Sequence, residues 1–233
     1  MIEVHFFPSP NGLKVPMMLE ECGLPYRLVD VDILRGGQFT PEFLAISPNN
    51  RVPAIVDLGA SGGPLPIFES GAILQYLAEK SGQLLPRDVR GRYDVLPWVY
   101  WQVAGLGPMA GQAHHFRMFA REKVDYGVRR YTDEMNRLYG VLERRLEGRD
   151  YISREYSIAD VACFPWIVHH EWQGQSLGDF PNVARWFERV RDRPATRRAY
   201  DIGHVRMADA EAYRFLYGQT AQSVEQHSEG HVP

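Results

Sequence analysis

The chain has 233 residues, 45% of them hydrophobic and 24% charged, the balance of an ordinary globular protein with room for one large or two small domains. Lys and Arg total 26 against 29 Asp and Glu, a net charge of −3 with a pI near 6.2, so no general attraction for nucleic acid or anionic membrane is expected. A mean hydropathy of −0.33, with no apolar run near the ~18 residues of a spanning helix, predicts no membrane segment, and two distant cysteines, Cys22 and Cys163, exclude a disulfide scaffold and a cysteine zinc site.

The opening Met1-Ile2-Glu3-Val4-His5-Phe6-Phe7 lacks a basic n-region and a small-residue cleavage site, so no signal peptide is expected and a reducing, cytoplasmic compartment is favoured. Val4 to Phe7 is an apolar run of strand length, broken by Ser9-Pro10-Asn11-Gly12. Helical spacing follows through Val15, Met17, Met18, Leu19 and Cys22, with Ser9 as N-cap, Pro10 at the first position and Gly23-Leu24-Pro25 as the stop. Tyr26 to Val31 predicts a second strand, and Pro41 to Leu44 a short helix. Ala54 to Val56 and Leu65 to Phe68 predict two strands joined by the Gly-rich turn at 59–63. Ser70 to Lys80 then predicts a helix with Ile73, Leu74 and Leu77 on one face. The order β-α-β-α-β-β-α implies a small α/β layer with a mixed sheet.

Gly82 to Arg90 is polar, contains Pro86 and reads as a linker, after which strand signals stop. Asp94 to Phe119 is aromatic and apolar, with Gly-Leu-Gly-Pro at 105–108 expected to kink or break a helix. Lys123 to Leu146 carries a stripe of Tyr131, Met135, Leu138, Leu142 and Leu146. Ser157-Ile158-Ala159-Asp160 has capping-box form and introduces an apolar helix from Val161 to His169. Pro181 to Arg191 is amphipathic and stops at Arg193-Pro194. The expected organisation is an α/β domain over residues 1–82, an all-helical domain over 90–203, and a polar, frayed tail over 204–233.

Five features bear on chemistry. Ser9-Pro10-Asn11-Gly12 opens a helix whose unpaired N–H groups and positive dipole end suit an anion or thiolate, although taken alone it is better explained as an ordinary N-cap. Pro53 begins a strand; were the Val52–Pro53 bond cis, the Val52 backbone could turn outward to pair with a peptide-like ligand, but the residues alone predict trans. Glu69 and Ser70 open the third helix, where they can serve as an acceptor for an ammonium group and a hydroxyl cap, although by themselves they are better explained as a plain helix cap with an acid that suits the dipole. His114 and His115, like His169 and His170, are adjacent, point ~100° apart on a helix and so predict no metal site. Arg129, Arg130, Arg137, Arg144 and Arg145 alternate with Glu134, Glu143 and Glu147 and read as a solvated, paired face.

The order of these features resembles the cytosolic glutathione transferases over residues 1–203, and within them the bacterial nu-class-like, glutathione-dependent disulfide-bond reductases. The segments that carry the narrower likeness include Ser9-Pro10-Asn11-Gly12, Gly36-Gly37-Gln38-Phe39, Ser47-Pro48-Asn49-Asn50, Phe68-Glu69-Ser70-Gly71, Gly105-Leu106-Gly107-Pro108-Met109, and Gly111-Gln112 with His114-His115-Phe116. The resemblance implies an α/β plus all-α fold: a thioredoxin-like N-terminal domain followed by an all-helical C-terminal domain, usually a homodimer. It implies that Ser9 and Asn11 face the glutathione thiol, that Val52 meets the cysteinyl backbone beside a cis Pro53, that Gln38 meets the glycyl end, and that Glu69 and Ser70 hold the γ-glutamyl end. Arg130 matches a residue that approaches glutathione from the partner subunit. Many nu-like members have Thr at the position of Ser9; both supply a hydroxyl.

On this reading glutathione is the co-substrate, no metal is used, and the second substrate is a disulfide or small hydrophobic electrophile. Its pocket is expected among Trp98, Trp101, Met109, His115, Phe116, Phe119 and Trp166. Conjugation, ether or halide cleavage, and a non-catalytic scaffold are the competing expectations. With no cysteine at Ser9-Pro10-Asn11, the nucleophile has to be glutathione's own sulfur, and Cys22 and Cys163 read as core thiols.

Overall fold

The computed structural model describes residues 1–203, 212–217 and 219–229. The chain folds as two compact units, one of Met1–Ile73 with the described residues from Ala199 onward, the other of Leu74–Arg198.

The first unit is built on a four-stranded sheet of order β2-β1-β3-β4. Strand β1 (Ile2–Phe6) alternates buried and half-buried side chains, the period of a strand with one well-covered face. It pairs in parallel with β2 (Tyr26–Asp30) and antiparallel with β3 (Ala54–Asp57), which pairs antiparallel with β4 (Leu65–Phe68). Val4 therefore lies between Leu28 and Ile55 at the sheet's centre.

The parallel step from β1 to β2 needs a crossover, supplied by α1 (Pro10–Cys22). Ser9 has extended backbone, and its Oγ accepts the Gly12 N–H at 3.1 Å. Gly23, with φ +63°, ends the helix in the left-handed conformation that glycine adopts without a Cβ penalty. Every residue from Gly12 to Leu19 is buried, so α1 is covered on all sides rather than along one stripe. A 3₁₀ turn at Gly37–Phe39 and α2 (Pro41–Ile46), capped by Thr40, lead to β3. Helix α3 (Ser70–Ser81) follows β4 and buries Ile73, Leu74 and Leu77, as their spacing predicts.

The second unit is helical. It contains α4 (Val89–Trp101), α5 (Gly107–His114), α6 (Asp125–Arg145), α7 (Ile158–Ile167) and α8 (Pro181–Arg191), and α9 (Pro194–Asp201) follows. Where a kink or break is expected at 105–108, the helix is not broken: a π-helical turn, Gln102–Leu106, joins α4 to α5 without interruption. A Cβ on Gly107 would stand 2.6 Å from Gln102 Nε2, and Pro108, which donates no backbone hydrogen bond, lies just past the widened π turn. A second π-helical turn, His115–Phe119, extends α5.

Helix α7 begins at Ile158, three residues before the sequence expectation, because Ser157 is its cap. Asp160 completes the capping box by accepting Ser157 N–H at 2.9 Å. It also accepts Ile152 N–H at 2.9 Å and Trp186 Nε1–H at 2.8 Å, tying α7 to α8 through a fully buried carboxylate. No described helix is long and apolar enough to cross a membrane.

The described residues of the tail differ from the frayed segment expected. They form α10 (Tyr213–Leu216) and α11 (Ala221–Glu229). The Phe215 carbonyl accepts from Gln38 Nε2 at 2.9 Å, and His227 stacks on Phe39 with ring centroids 4.8 Å apart. The Phe215 ring also lies against Phe39, with centroids 6.5 Å apart, so a backbone carbonyl and two aromatic rings anchor a mostly polar segment, contacts that polarity alone does not reveal. Residues 204–211, 218 and 230–233 lie outside the described residues.

Candidate active site

Three segments of the first unit meet around a cavity of about 270 Å³. The start of α1 contributes Asn11, the loop before β3 contributes Ser47, Asn49, Arg51, Val52 and Pro53, and the β4–α3 junction contributes Phe68, Glu69 and Ser70.

Local rules place each segment. In the loop, the buried Ser47 donates its hydroxyl to the Arg51 carbonyl at 2.8 Å, and Asn50, with φ +45°, returns its N–H to the Ser47 carbonyl at 2.9 Å. The Val52–Pro53 peptide is cis. The residues alone predict trans; the cis bond that the family resemblance implies is the one found. At the junction, Glu69 has φ +70°, an uncommon conformation for a residue with a Cβ. Its carboxylate accepts from Asn49 Nδ2 at 3.4 Å across the cavity mouth. Ser70 is the first residue of α3, and its Oγ accepts from Lys14 Nζ at 3.1 Å.

The cavity thus meets the N-terminal turns of two helices, where unpaired N–H groups and the dipole favour negative charge. It also holds one carboxylate, Glu69, and one exposed guanidinium, Arg51. This pattern suits a ligand carrying both an anionic and a cationic group.

The structure brings Asn11, Val52, Pro53, Glu69 and Ser70 together. Ser9 lies half-buried immediately before α1, with its oxygen engaged by Gly12. Gln38 does not line the cavity: it is buried, and its amide is held by Phe215. Arg130 belongs to the second unit, where it borders a separate open cavity of about 760 Å³ with Met109, Tyr126 and Tyr131. Of the aromatic and apolar residues expected to form a substrate pocket, Met109 lines that cavity, whereas Trp166 is buried against His114.

Sequence reasoning missed Lys14, which is fully buried. A single lysine between Leu13 and Val15 normally faces solvent, and only the burial of α1 on every side turns it inward. Ser47 and Asn49 were legible as part of a resemblance-bearing segment but not as cavity walls.

The paired histidines are packing groups. His114 lies against Trp166 and Trp172, its ring nitrogen 3.2 Å from Gln173 Nε2, and burial pushes its pKa down to about 4. Among the described residues there is no group of three or more His, Cys, Asp or Glu side chains that could hold a metal.

Residues 8–80 match the family model of the glutathione S-transferase N-terminal domain, and residues 106–194 match that of the C-terminal domain. The chain belongs to the glutathione S-transferase family. The disulfide-bond oxidoreductase YfcG of Escherichia coli is 53% identical over 202 residues, covering 85% of this chain and 94% of that protein. A glutathione transferase from Pseudomonas putida, solved with one glutathione disulfide bound per subunit, is 44% identical with a TM-score of 0.83 over 87% of this chain and 92% of that one. A glutathione transferase from Burkholderia graminis, solved with two glutathione molecules per subunit, is 46% identical with a TM-score of 0.81 over 86% and 87% of the two chains. In this glutathione transferase the 270 Å³ cavity falls in the N-terminal domain and Arg130 in the C-terminal domain.

Proposed function

We propose that the chain binds glutathione in the N-terminal cavity, ionises its thiol at the start of α1, and uses the thiolate to reduce disulfides. The convergence of Asn11, Val52, Pro53, Glu69 and Ser70 on one cavity carries the reading. Glutathione has one adjacent ammonium and carboxylate pair, on its γ-glutamyl residue. Glu69 suits the ammonium, and Ser70 at the α3 N-terminus suits the carboxylate. The Val52 backbone pairs with the cysteinyl residue, which directs the sulfur toward Ser9 and Asn11. Gln38 reaches the glycyl end only when the Phe215 carbonyl releases its amide.

Magnitudes permit the ionisation. A free thiol titrates near ~8.5, and lowering that by ~2 units needs about 2.7 kcal/mol of preferential thiolate binding. A helix N-terminus supplies ~0.3–1 kcal/mol and a charge-assisted hydrogen bond ~1.5–3 kcal/mol, so α1, Ser9 and Asn11 together suffice. The thiolate attacks one sulfur of the substrate disulfide, forming a mixed disulfide and expelling the other sulfur as thiolate. A second glutathione thiolate then releases the remaining substrate thiol and leaves as glutathione disulfide. The E. coli relative's name and the glutathione disulfide in the Pseudomonas structure support this choice over conjugation.

The proposed assembly is a homodimer in a reducing, cytoplasmic compartment, with Arg130 approaching the glutathione of the partner. Initial rates with a small dialkyl disulfide and with an aryl halide, each with glutathione, test the function. The disulfide is expected to react faster by about tenfold or more, some 1.4 kcal/mol in barrier. The reverse order assigns conjugation instead, and failure to be retained on immobilised glutathione overturns the reading.

A further inference from the structure

We infer that Lys14 is a positioning residue for carboxylate recognition, acting through Ser70. The inference rests on the glutathione reading of the cavity and adds a residue to it. Lysine is almost never fully buried without a polar partner, and Lys14 is 0% exposed on a helix whose neighbouring residues are apolar. Its Nζ lies 3.1 Å from Ser70 Oγ.

The direction of that hydrogen bond decides its consequence. Lys14 Nζ donates to Ser70 Oγ, as the three donors of a lysine ammonium require, so Ser70 Oγ is the accepting atom. The single Ser70 hydroxyl proton cannot point at Lys14 and is left for another acceptor. Ser70 lines the cavity, so that proton is available to an anionic ligand oxygen there. The Lys14 amine also stands behind that oxygen at a fully buried position, where electrostatic attraction is stronger than at an exposed one. Glu69, the neighbouring residue, offers only acceptors when ionised and so takes the ammonium. Lys14 thereby fixes which end of an amino-acid head group meets Ser70. A lysine that merely links α1 to α3 would have no such preference among ligands.

The test compares glutathione with 4-aminobutyryl-cysteinyl-glycine, which keeps the ammonium and lacks only the α-carboxylate. Isothermal titration calorimetry is run on the wild-type chain, Lys14→Met, Lys14→Arg, Ser70→Ala and the Lys14→Met/Ser70→Ala double variant. Lys14→Met is expected to weaken glutathione about tenfold or more while leaving the decarboxylated analogue nearly unchanged. Lys14→Arg is expected to restore much of the discrimination. The double variant is expected to lose no more than the worse single variant, because both changes remove one unit. Equal losses for the two ligands, or losses that multiply in the double variant, overturn the inference.

Should Lys14→Met fail to fold, wild-type protein with ¹⁵N-labelled lysine serves. The Nζ resonance displaced by Ser70→Ala is expected to shift with glutathione and not with the analogue. Equal shifts, or none with glutathione, overturn the inference. A wild-type chain that binds neither peptide defeats the glutathione reading itself, whereas tight glutathione binding with no discrimination defeats only the part assigned to Lys14.

Discussion

Ser9 Oγ accepts the backbone N–H of Gly12 at 3.1 Å, so the hydroxyl that caps α1 keeps its own proton to donate. The same turn brings Gly12 against Phe7: a Cβ there would stand 2.0 Å from the Phe7 carbonyl oxygen, a backbone atom that cannot move aside cheaply. Gly12→Ala is therefore expected to displace the Ser9–Asn11 turn and lower glutathione affinity by about tenfold or more, measured by calorimetry. Ser9→Ala is expected to lose about 1 kcal/mol of unfolding free energy with the cap, and Ser9→Thr to keep it, measured by denaturant unfolding.

The sulfur chemistry is expected to be independent of the protein's own thiols. Cys163 is fully buried in α7, and Cys22 is half-buried at the last residue of α1. A Cys22→Ser/Cys163→Ala variant should reduce a small disulfide with glutathione at the wild-type rate per folded molecule. Loss of that activity with glutathione binding intact would assign a cysteine to the reaction and refute the imported nucleophile.

Two buried groups in the second unit give opposing pH dependences. Burial raises Asp160 to about 6 from 3.8, so between those values the folded chain holds a proton that the unfolded chain has lost. Stability from this group falls as pH rises through that window, by about 3 kcal/mol. Burial lowers His114 to about 4 from 6.5, so there the unfolded chain binds the extra proton and stability rises with pH, by about 3 kcal/mol. Wild-type unfolding free energy is expected to be nearly flat with respect to these two groups between pH 4 and 6. Asp160→Asn should expose the rising limb and His114→Gln the falling one, in guanidinium unfolding at successive pH values. Asp160→Asn should also cost about 2–3 kcal/mol at neutral pH, because the buried Ser157 and Trp186 donors lose a carboxylate acceptor.

Much of this was legible beforehand. Strand and helix periods gave the β-α-β-α-β-β-α order, because Val4, Phe6, Ile55 and Ile73 occupy faces that the sheet and its helices must cover. The capping box at Ser157 and Asp160 was visible because it needs only residues three apart. Features set by distant partners were hidden. The Val52–Pro53 isomer is a small energetic preference that local sequence does not reveal. Lys14 turns inward because α1 is enclosed on every side, and Gln38 lies outside the cavity lining with its amide on a carbonyl 177 residues further along the chain.

On the proposed reading, the start of α1 lowers the pKa of glutathione's sulfur. Titrating the ultraviolet absorbance of the bound thiolate in wild type, Ser9→Ala and Asn11→Ala tests it most directly. The wild-type midpoint is expected about 2 units below the free value of ~8.5, with both variants returning toward that value and Asn11→Ala, which removes a cavity wall, at least as far as Ser9→Ala. A bound thiol that titrates at its solution value in wild type, or a lowered midpoint that neither substitution moves, would contradict it.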